Sequence, residues 1–288
     1  LFANNRYNTI GYDIDKKKIN DLNENNISFD ENQINDLFFK KKRKIYFTNK
    51  LVKSDVYFIC LPTPVKKSIN NYYIPDLEII YKFIYQLKKI LKEKDIIIIE
   101  STCPPGTFNN IKNKLTKWGF KNITLAICPE RAVPGNTINE MIYNDRMIGV
   151  ENQKDYLKVK KIYQYISKGK KNYCSPIEAE LTKLFENTYR DVNIALATEF
   201  YNISNKYLAN FHTIKNFANK HPRVNIHNSG IGVDGHCIPV DPWFIIDNKK
   251  KNSLIYLSRI INTDKTIKTL KVIEKKIQKI NKNKKILI

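Results

Sequence analysis

A cysteine set among glycines is the first residue whose surroundings suggest chemistry. Cys237 stands in Gly232-Val-Asp-Gly-His-Cys237-Ile-Pro-Val-Asp241, beside His236 and four residues before Asp241. Glycines let a substrate approach the backbone closely, and a thiolate held there can attack a carbonyl carbon. The other reading of a lone cysteine is a small apolar residue packed under a loop. Lys183 and Asn187 are four residues apart in a stretch without Gly or Pro, hence on one helix face. An ammonium beside an amide can stabilise a developing oxyanion, although any exposed helix face shows the same spacing. Glu130 and Arg131 follow the apolar run Ile123–Ile127, where a carboxylate can do acid–base work or cap the next element. Asp13 ends the run Thr9–Tyr12, placed either to accept from a ribose diol or to make a turn. His221 and His227 are six apart, and the five cysteines (Cys60, Cys103, Cys128, Cys174, Cys237) form no CxxC pair. No metal site is therefore expected.

The elements that must hold these residues alternate through the first half. Thr9–Tyr12, Val56–Leu61, Ile96–Ile99 and Ile123–Ile127 read as short buried strands. Between them, Lys16–Asn23 and Asp76–Leu91 read as helices. In the latter, Leu77, Ile80, Phe83, Ile84, Leu87 and Leu91 form one stripe, with Asp76 as the cap. Such alternation predicts an α/β fold with a doubly wound, Rossmann-like parallel sheet, whose ligand-binding loops line the carboxyl edge. The second half predicts an all-α domain. Glu178–Tyr207 is one helix of about eight turns, followed by Phe211–Lys220. Pro222, Gly230, Gly232, Gly235, Pro239 and Pro242 then crowd one irregular loop, a backbone that usually serves a site. Past Trp243 helix resumes, and the final Lys285-Ile-Leu-Ile288 reads as the opening of another buried strand. The expected division is a sheet domain over residues 1–170, a helical domain over 171–280, and the start of a third over 281–288.

With 42 % hydrophobic and 27 % charged residues in 288, the chain has material for about two packed domains. That excludes a disordered tail or a disulfide-stapled miniprotein. No apolar run approaches the roughly 18 residues of a membrane span, and no signal peptide is visible at Leu1. The cysteine usage is that of a reducing compartment, so a cytoplasmic protein is expected. The net charge of +22 invites nucleic-acid binding. Lysine is scattered along the whole chain, however, and no binding motif accompanies it, so neither a nucleic-acid nor a membrane partner is expected. A basic surface would also draw in a polyanionic small substrate.

Taken in order, the motifs resemble one family, the UDP-sugar 6-dehydrogenases. The matching pieces are Gly11-Tyr-Asp13-Ile, Ile59-Cys-Leu-Pro-Thr63-Pro64, Glu100-Ser-Thr102-Cys-Pro-Pro-Gly106-Thr107 and Cys128-Pro-Glu130-Arg-Ala-Val-Pro-Gly135. They continue with Glu178-Ala-Glu-Leu-Thr-Lys183-Leu-Phe-Glu-Asn187, Arg190-Asp-Val-Asn-Ile-Ala195, His221-Pro-Arg223-Val-Asn-Ile and Gly235-His-Cys237-Ile-Pro-Val-Asp241-Pro-Trp-Phe. The Pro-Glu-Arg, Arg-Asp-Val-Asn and His-Pro-Arg segments are similar to the branch that acts on N-acetylated sugars.

The resemblance implies NAD-dependent oxidation of the C6 alcohol of a UDP-N-acetylhexosamine to the acid, in two hydride transfers through a Cys237 thioester. It implies that Lys183 and Asn187 steady the C6 oxygen and that Asp241 works with Lys183 and a water held by Thr102. Glu130 would then be the base for thioester hydrolysis. Asp13, Thr63 and Thr102 would touch the cofactor, with Asp13 favouring NAD over NADP. Glu130, Arg131, Ala132, Val133, Lys183, Asn187, Arg223 and Gly235 would line the sugar nucleotide, Arg223 from across the interface of a homodimer built on the helix Glu178–Tyr207. Three departures are expected to matter. Only 12 residues precede Asp13, too few for the family's Gly-rich pyrophosphate turn, which stands about 20 residues earlier. The chain ends where the family's UDP-binding third domain begins. Asp234 replaces a common glycine, and its charge is expected to raise the Cys237 pKa. The sequence is thus expected to be either a fragment of such an enzyme or an inactive remnant of one.

Overall fold

The computed structural model describes residues 1–5, 7–27, 33–39, 44–68, 72–233, 235–247 and 252–278. In chain order the elements are β1 (Thr9–Tyr12), α1 (Lys16–Asn23), α2 (Ile34–Phe38), β2 (Ile45–Thr48), β3 (Val56–Ile59), β4 (Val65–Lys67), β5 (Tyr73–Pro75), α3 (Glu78–Leu87) and β6 (Ile96–Ile99). There follow α4 (Thr107–Lys117), β7 (Thr124–Ile127), α5 (Thr137–Tyr143), β8 (Arg146–Gly149), α6 (Gln153–Tyr163), β9 (Lys171–Cys174), α7 (Pro176–Lys206), α8 (Phe211–Ala218) and α9 (Leu254–Gln278). They form two compact units. Leu1–Thr63 with Asp76–Lys183 make the first, and Pro64–Pro75 with Leu184–Ile288 the second.

The first unit carries a five-stranded sheet ordered β3-β6-β7-β8-β9 and a separate parallel pair, β1-β2. The four isoleucines of β6 explain its central place. Ile97, Ile98 and Ile99 are fully buried, each contributing about 1.5–3 kcal/mol of transfer free energy. Ile97 and Ile99 pack with Ile80 and Ile84 of α3 and Phe108 and Ile111 of α4. Ile98 faces the other way, among Ile148 and the α6 residues Tyr156, Val159 and Tyr163. Helices therefore cover both faces, as in a doubly wound sheet. The expectation of an all-parallel sheet needs one correction, because β7 and β8 pair antiparallel through Ile127 and Gly149. The chain leaves β7 at the carboxyl edge and crosses no face of the sheet with a long helix, since α5 has only seven residues. It re-enters from that same edge, and Arg146 opens β8 there. β9 pairs with β8 from Lys171 to Cys174, so the sheet runs past residue 170.

Helix ends follow local chemistry. Asp76 sits outside α3, which begins at Glu78, and its carboxylate accepts from the Glu78 amide at 3.1 Å. α7 starts two residues earlier than its apolar period suggests. Ser175 and Glu178 form a reciprocal capping box around Pro176, with the Ser175 amide donating to Glu178 at 2.7 Å. Glu180, buried in the first turns of α7, accepts from the amides of Gly106 and Phe108 at 2.7 and 2.8 Å. The start of α4 is thereby pinned to α7 within the first unit.

In the second unit α7 and α9 are tied by a buried polar cluster. Asp191 on α7 accepts from Arg259 at 2.5 Å and from Asn262 at 2.8 Å, both on α9. Trp243 and Ile246 pack with Tyr72, and Tyr256 of α9 closes this small core. Helix does not resume directly after Trp243, as expected from sequence. Asp241–Phe244 is a short 3-10 turn, and α9 begins at Leu254. Residues 279–288, where the opening strand of a third domain is expected, lie outside the described residues.

Candidate functional site

The expected site residues fall into both units, and each half has its own geometry. In the first unit the carboxyl ends of β3, β6 and β7 meet the start of β8 around Arg146. Its Nη2 donates to Glu130 Oε2 at 2.8 Å and its Nη1 to Glu100 Oε1 at 3.4 Å. The guanidinium lies 4.7 Å from the Tyr163 ring centroid, and the Tyr163 hydroxyl donates to Glu100 Oε1 at 2.6 Å. The Cys60 thiol approaches Glu100 Oε2 at 3.6 Å. Glu130 Oε1 accepts from the amides of Arg131 and Ala132 at 2.7 and 2.8 Å. These contacts set the charges. Burial pushes Glu130 up, but Arg146 and the two amides outweigh it and hold the carboxyl below its ordinary value. Glu100 is deeper, and burial prevails over Arg146 and Tyr163 to hold it above.

The neighbouring expected residues are tethered too. Arg131 Nη1 donates to the Asp145 carbonyl at 3.1 Å, and the Val133 amide to Glu140 at 3.0 Å. The amides of Arg131, Ala132 and Val133 are thus all engaged within the chain. Thr63 and Thr102 stand half-buried after β3 and β6. Asp13 ends β1, where its carboxylate accepts from the Asp15 amide at 3.0 Å and pairs with Lys18 at 2.6 Å. The Lys18 bond holds it ionised, below the usual aspartate range. An ionised acceptor at that strand end fits the ribose of a dinucleotide. No described strand is followed by a Gly-x-Gly-x-x-Gly turn. The one run with that spelling, Gly230 to Gly235, has no described strand before it and lies in the Cys237 loop.

The second unit holds that loop. Cys237 is exposed, and its carbonyl accepts from the amides of Val240 and Asp241 at 3.1 and 2.9 Å. One turn therefore carries both the thiol and the carboxylate. Asp241 is buried, and its Oδ2 accepts from Asn187 Nδ2 at 2.5 Å. Gly235 bends the chain two residues before Cys237 with φ +99°, and Gly232 has φ +139° with a would-be Cβ 1.8 Å from Thr266 Oγ1. A side chain is strained at the first and clashes at the second. Lys183, the last residue of the first unit, is half-buried on α7, one turn before Asn187 in the same helix. Arg223 is exposed after α8, and its guanidinium makes no ion pair among the described residues. Asp234 lies outside the described residues. The structure thus brings Asn187 to Asp241 and Glu130 to Arg146. Glu100, Arg146 and Tyr163 are not among the candidates from sequence, although Glu100 lies in a quoted motif. The one local signal for Arg146 is a basic residue opening an apolar strand.

Among the described residues no group of three or more His, Cys, Asp or Glu could hold a metal ion. No helix among them is long and apolar enough to cross a membrane.

Comparison with known proteins agrees with the fold. Residues 1–167 match the NAD binding domain of the UDP-glucose/GDP-mannose dehydrogenase family, and residues 177–267 match its central domain. A UDP-N-acetyl-D-mannosamine dehydrogenase of Methanococcus aeolicus is 40 % identical over 269 residues, covering 92 % of this chain and 60 % of that protein. The solved UDP-D-ManNAc dehydrogenase of Pyrococcus horikoshii superposes with a TM-score of 0.88 at 34 % identity, covering 96 % of this chain and 68 % of that one. The UDP-N-acetyl-mannosamine dehydrogenase of Staphylococcus aureus gives 0.87 at 32 %, covering 98 % and 68 %. The chain thus spans about 60–65 % of the length of the first curated relatives it matches.

Proposed function

The chain belongs to the UDP-glucose/GDP-mannose dehydrogenase family, and on that premise we propose that it oxidises the C6 alcohol of a UDP-N-acetylhexosamine, UDP-N-acetyl-D-mannosamine first, to the uronic acid. Bound NAD supplies the hydride acceptor for each of the two oxidations. The observation that carries the reading is the buried bond from Asn187 to Asp241, whose own amide is held by the Cys237 carbonyl. A nucleophile, a carboxylate and an amide donor are thereby fixed on one turn and the helix beside it.

The roles follow from chemistry. The Cys237 thiolate adds to the C6 aldehyde, forming a C–S bond while the carbonyl oxygen becomes an alkoxide. Hydride loss from that thiohemiacetal carbon leaves a thioester. The second N–H of Asn187, with the Lys183 ammonium, steadies the charge on the C6 oxygen. Asp241 exchanges the alcohol proton with Lys183 through a water held by Thr102. Glu130 takes a proton from a water that attacks the thioester, the C–S bond breaks, and Cys237 leaves as thiolate. Asp13 accepts from the adenosine ribose, and Thr63 touches the cofactor. Arg131, Ala132, Val133 and Gly235 line the sugar nucleotide.

A homodimer fits this reading. Phe185, Tyr189, Leu196 and Ile203 are exposed along α7, with exposed Tyr207 just past its end, at spacings that keep them on one stripe. The Arg223 guanidinium, which makes no ion pair among the described residues, would suit the sugar nucleotide of the partner subunit. All five cysteines are free thiols, in keeping with a cytoplasmic site of action.

The decisive experiment replaces the nucleophile. Cys237→Ala is expected to abolish NADH formation with UDP-N-acetyl-D-mannosamine, and quenched intact-mass spectra of the parent are expected to show a substrate adduct on Cys237. Undiminished turnover in Cys237→Ala would sink the mechanism. Substrate binding without NADH from the parent chain would instead mark a catalytically inactive remnant.

A further inference from the structure

We propose that Arg146 is the positioning residue of the hydrolytic half-reaction, bridging Glu100 and Glu130 so that Glu130 keeps one acceptor position for the attacking water. The inference rests on the dehydrogenase reading above and adds a residue to it.

A carboxylate offers about four lone-pair positions. On Glu130, two are taken at Oε1 by the Arg131 and Ala132 amides and one at Oε2 by Arg146. One position on Oε2 remains. Glu130 also lines a cavity of about 10 Å3, together with Arg131, Glu140, Asn144, Asp145 and Arg146, close to the room one water needs. The Arg146 Nε, also buried, has no hydrogen-bond partner among the described residues.

Arg146 suits the task because a guanidinium is a rigid fork. One Nη reaches each carboxylate, which a single ammonium cannot do in the same geometry. The fork is immobilised in turn by the Tyr163 ring and by Glu100, itself held by the Tyr163 hydroxyl. The other titratable groups around this cluster are Cys60 after β3, Cys128 after β7, Arg131 beside Glu130, Glu140 on α5, Asp145 before β8 and Lys171 on β9. Neither cysteine, nor Glu140, nor Lys171 bonds to Glu130 Oε2 among the described residues. Without Arg146, burial would act on Glu130 unopposed except by two amides. Its carboxyl would then hold a proton up to a higher pH, and below that pH could not accept one from water.

The competing account is that Arg146 merely ties β8 to the ends of β6 and β7. The test uses Arg146→Met and Arg146→Lys in the intact protein, with folding checked by circular dichroism. Expected are a pre-steady-state NADH burst within about twofold of the parent and turnover slowed about 10- to 100-fold, less than the roughly 10²–10⁴ that a positioned general base contributes. The Cys237 adduct should persist on quenching, and the acid limb of turnover should move to higher pH. If the methionine variant fails to fold, the lysine variant carries the test, since it keeps the buried charge. Independently of turnover, the Glu130 carboxyl followed by 13C NMR, assigned against Glu130→Gln, should titrate highest in Arg146→Met, and in Arg146→Lys between that variant and the parent, because an ammonium keeps the charge but not the fork. An unmoved acid limb with unmoved Glu130 titration overturns the proposal, as does a burst slowed as much as turnover. A parent protein with no burst and no Cys237 adduct instead defeats the dehydrogenase reading itself.

Discussion

Among the described residues each unit buries one arginine among oxygen acceptors, and the two sites are built to opposite purposes. Arg259 is fully enclosed between two helices, with Asp191 0 % and Asn262 0 % exposed. Arg146 is equally buried, but one of its carboxylates, Glu130, keeps 29 % of its side chain accessible. At Arg259 the polar groups serve each other, and Asp191 Oδ2, Arg259 Nε and Asn262 Oδ1 even lack partners among the described residues. At Arg146 a backbone loop donates two amides to the same carboxylate, leaving that carboxylate at the strand edge where ligands bind in open α/β sheets. A buried ion pair between helices fixes register. One that ends in an accessible carboxylate at a sheet edge can also handle a proton.

The largest expected effect tests the structural member of the pair. Asp191→Ala leaves the Arg259 guanidinium buried without its counter-ion, which costs about 3–5 kcal/mol. Urea unfolding should show that loss, with α9 released first in hydrogen exchange. Replacing both partners, Asp191→Leu with Arg259→Met, should recover most of it, because an apolar pair of similar volume has no desolvation to repay. A loss under about 1 kcal/mol in Asp191→Ala would mean that Arg259 is solvated on truncation, and the contrast between the two clusters would collapse.

A smaller effect, but a sharper one, is the sign of the pH dependence. Glu130 is held below its ordinary value, so it contributes stability that is present above the unfolded carboxyl pKa and lost as pH falls through the folded one. Asp191 is held above by burial, which prevails over Arg259 and Asn262. Its contribution is present below the unfolded pKa and lost as pH rises through the folded one. The unfolding free energy of Glu130→Gln, relative to the parent, should therefore approach the parent's as the solution is acidified from pH 7. For Asp191→Asn the difference should become less favourable to the variant on the same acidification. Parallel slopes in the two variants would show that the environments do not differ as described.

How much of this was readable beforehand depended on sequence distance. The β6 isoleucines and the bounds of α1 are written in local pattern, and the structure returns both unchanged. The start of α7 was also written locally, in Ser175-Pro-Ile-Glu178, but in capping chemistry and not in apolar period. The antiparallel β7–β8 pairing has no local signature, because it depends on which edge the connection returns to. The candidate site divides along the same line. Cys237 and Asp241 announce themselves within one loop. Arg146 meets Glu130 and Glu100 across 16 and 46 residues, and Asn187 meets Asp241 across 54. Buried polar partners at such separations are chosen by topology, which residue types alone do not encode.

The smallest expected effect separates the stability of α7 from both clusters. Leu208, just past the end of the helix that carries Asp191, has φ +55° and is 96 % exposed. The Ala209 amide reaches back to the Ser204 carbonyl at 2.9 Å, the bond that closes a helix through a left-handed residue. A leucine there is strained by its Cβ and buries nothing in the chain as described. Glycine removes the strain at some cost in unfolded-chain entropy, so Leu208→Gly should stabilise by about 0.5–1 kcal/mol. Chemical denaturation should register that gain uniformly across pH, since no titrating group is touched. A gain that vanished on acidification would show that the end of α7 is coupled to Asp191. A loss would show that Leu208 is covered in solution, as an α7-centred dimer would cover it.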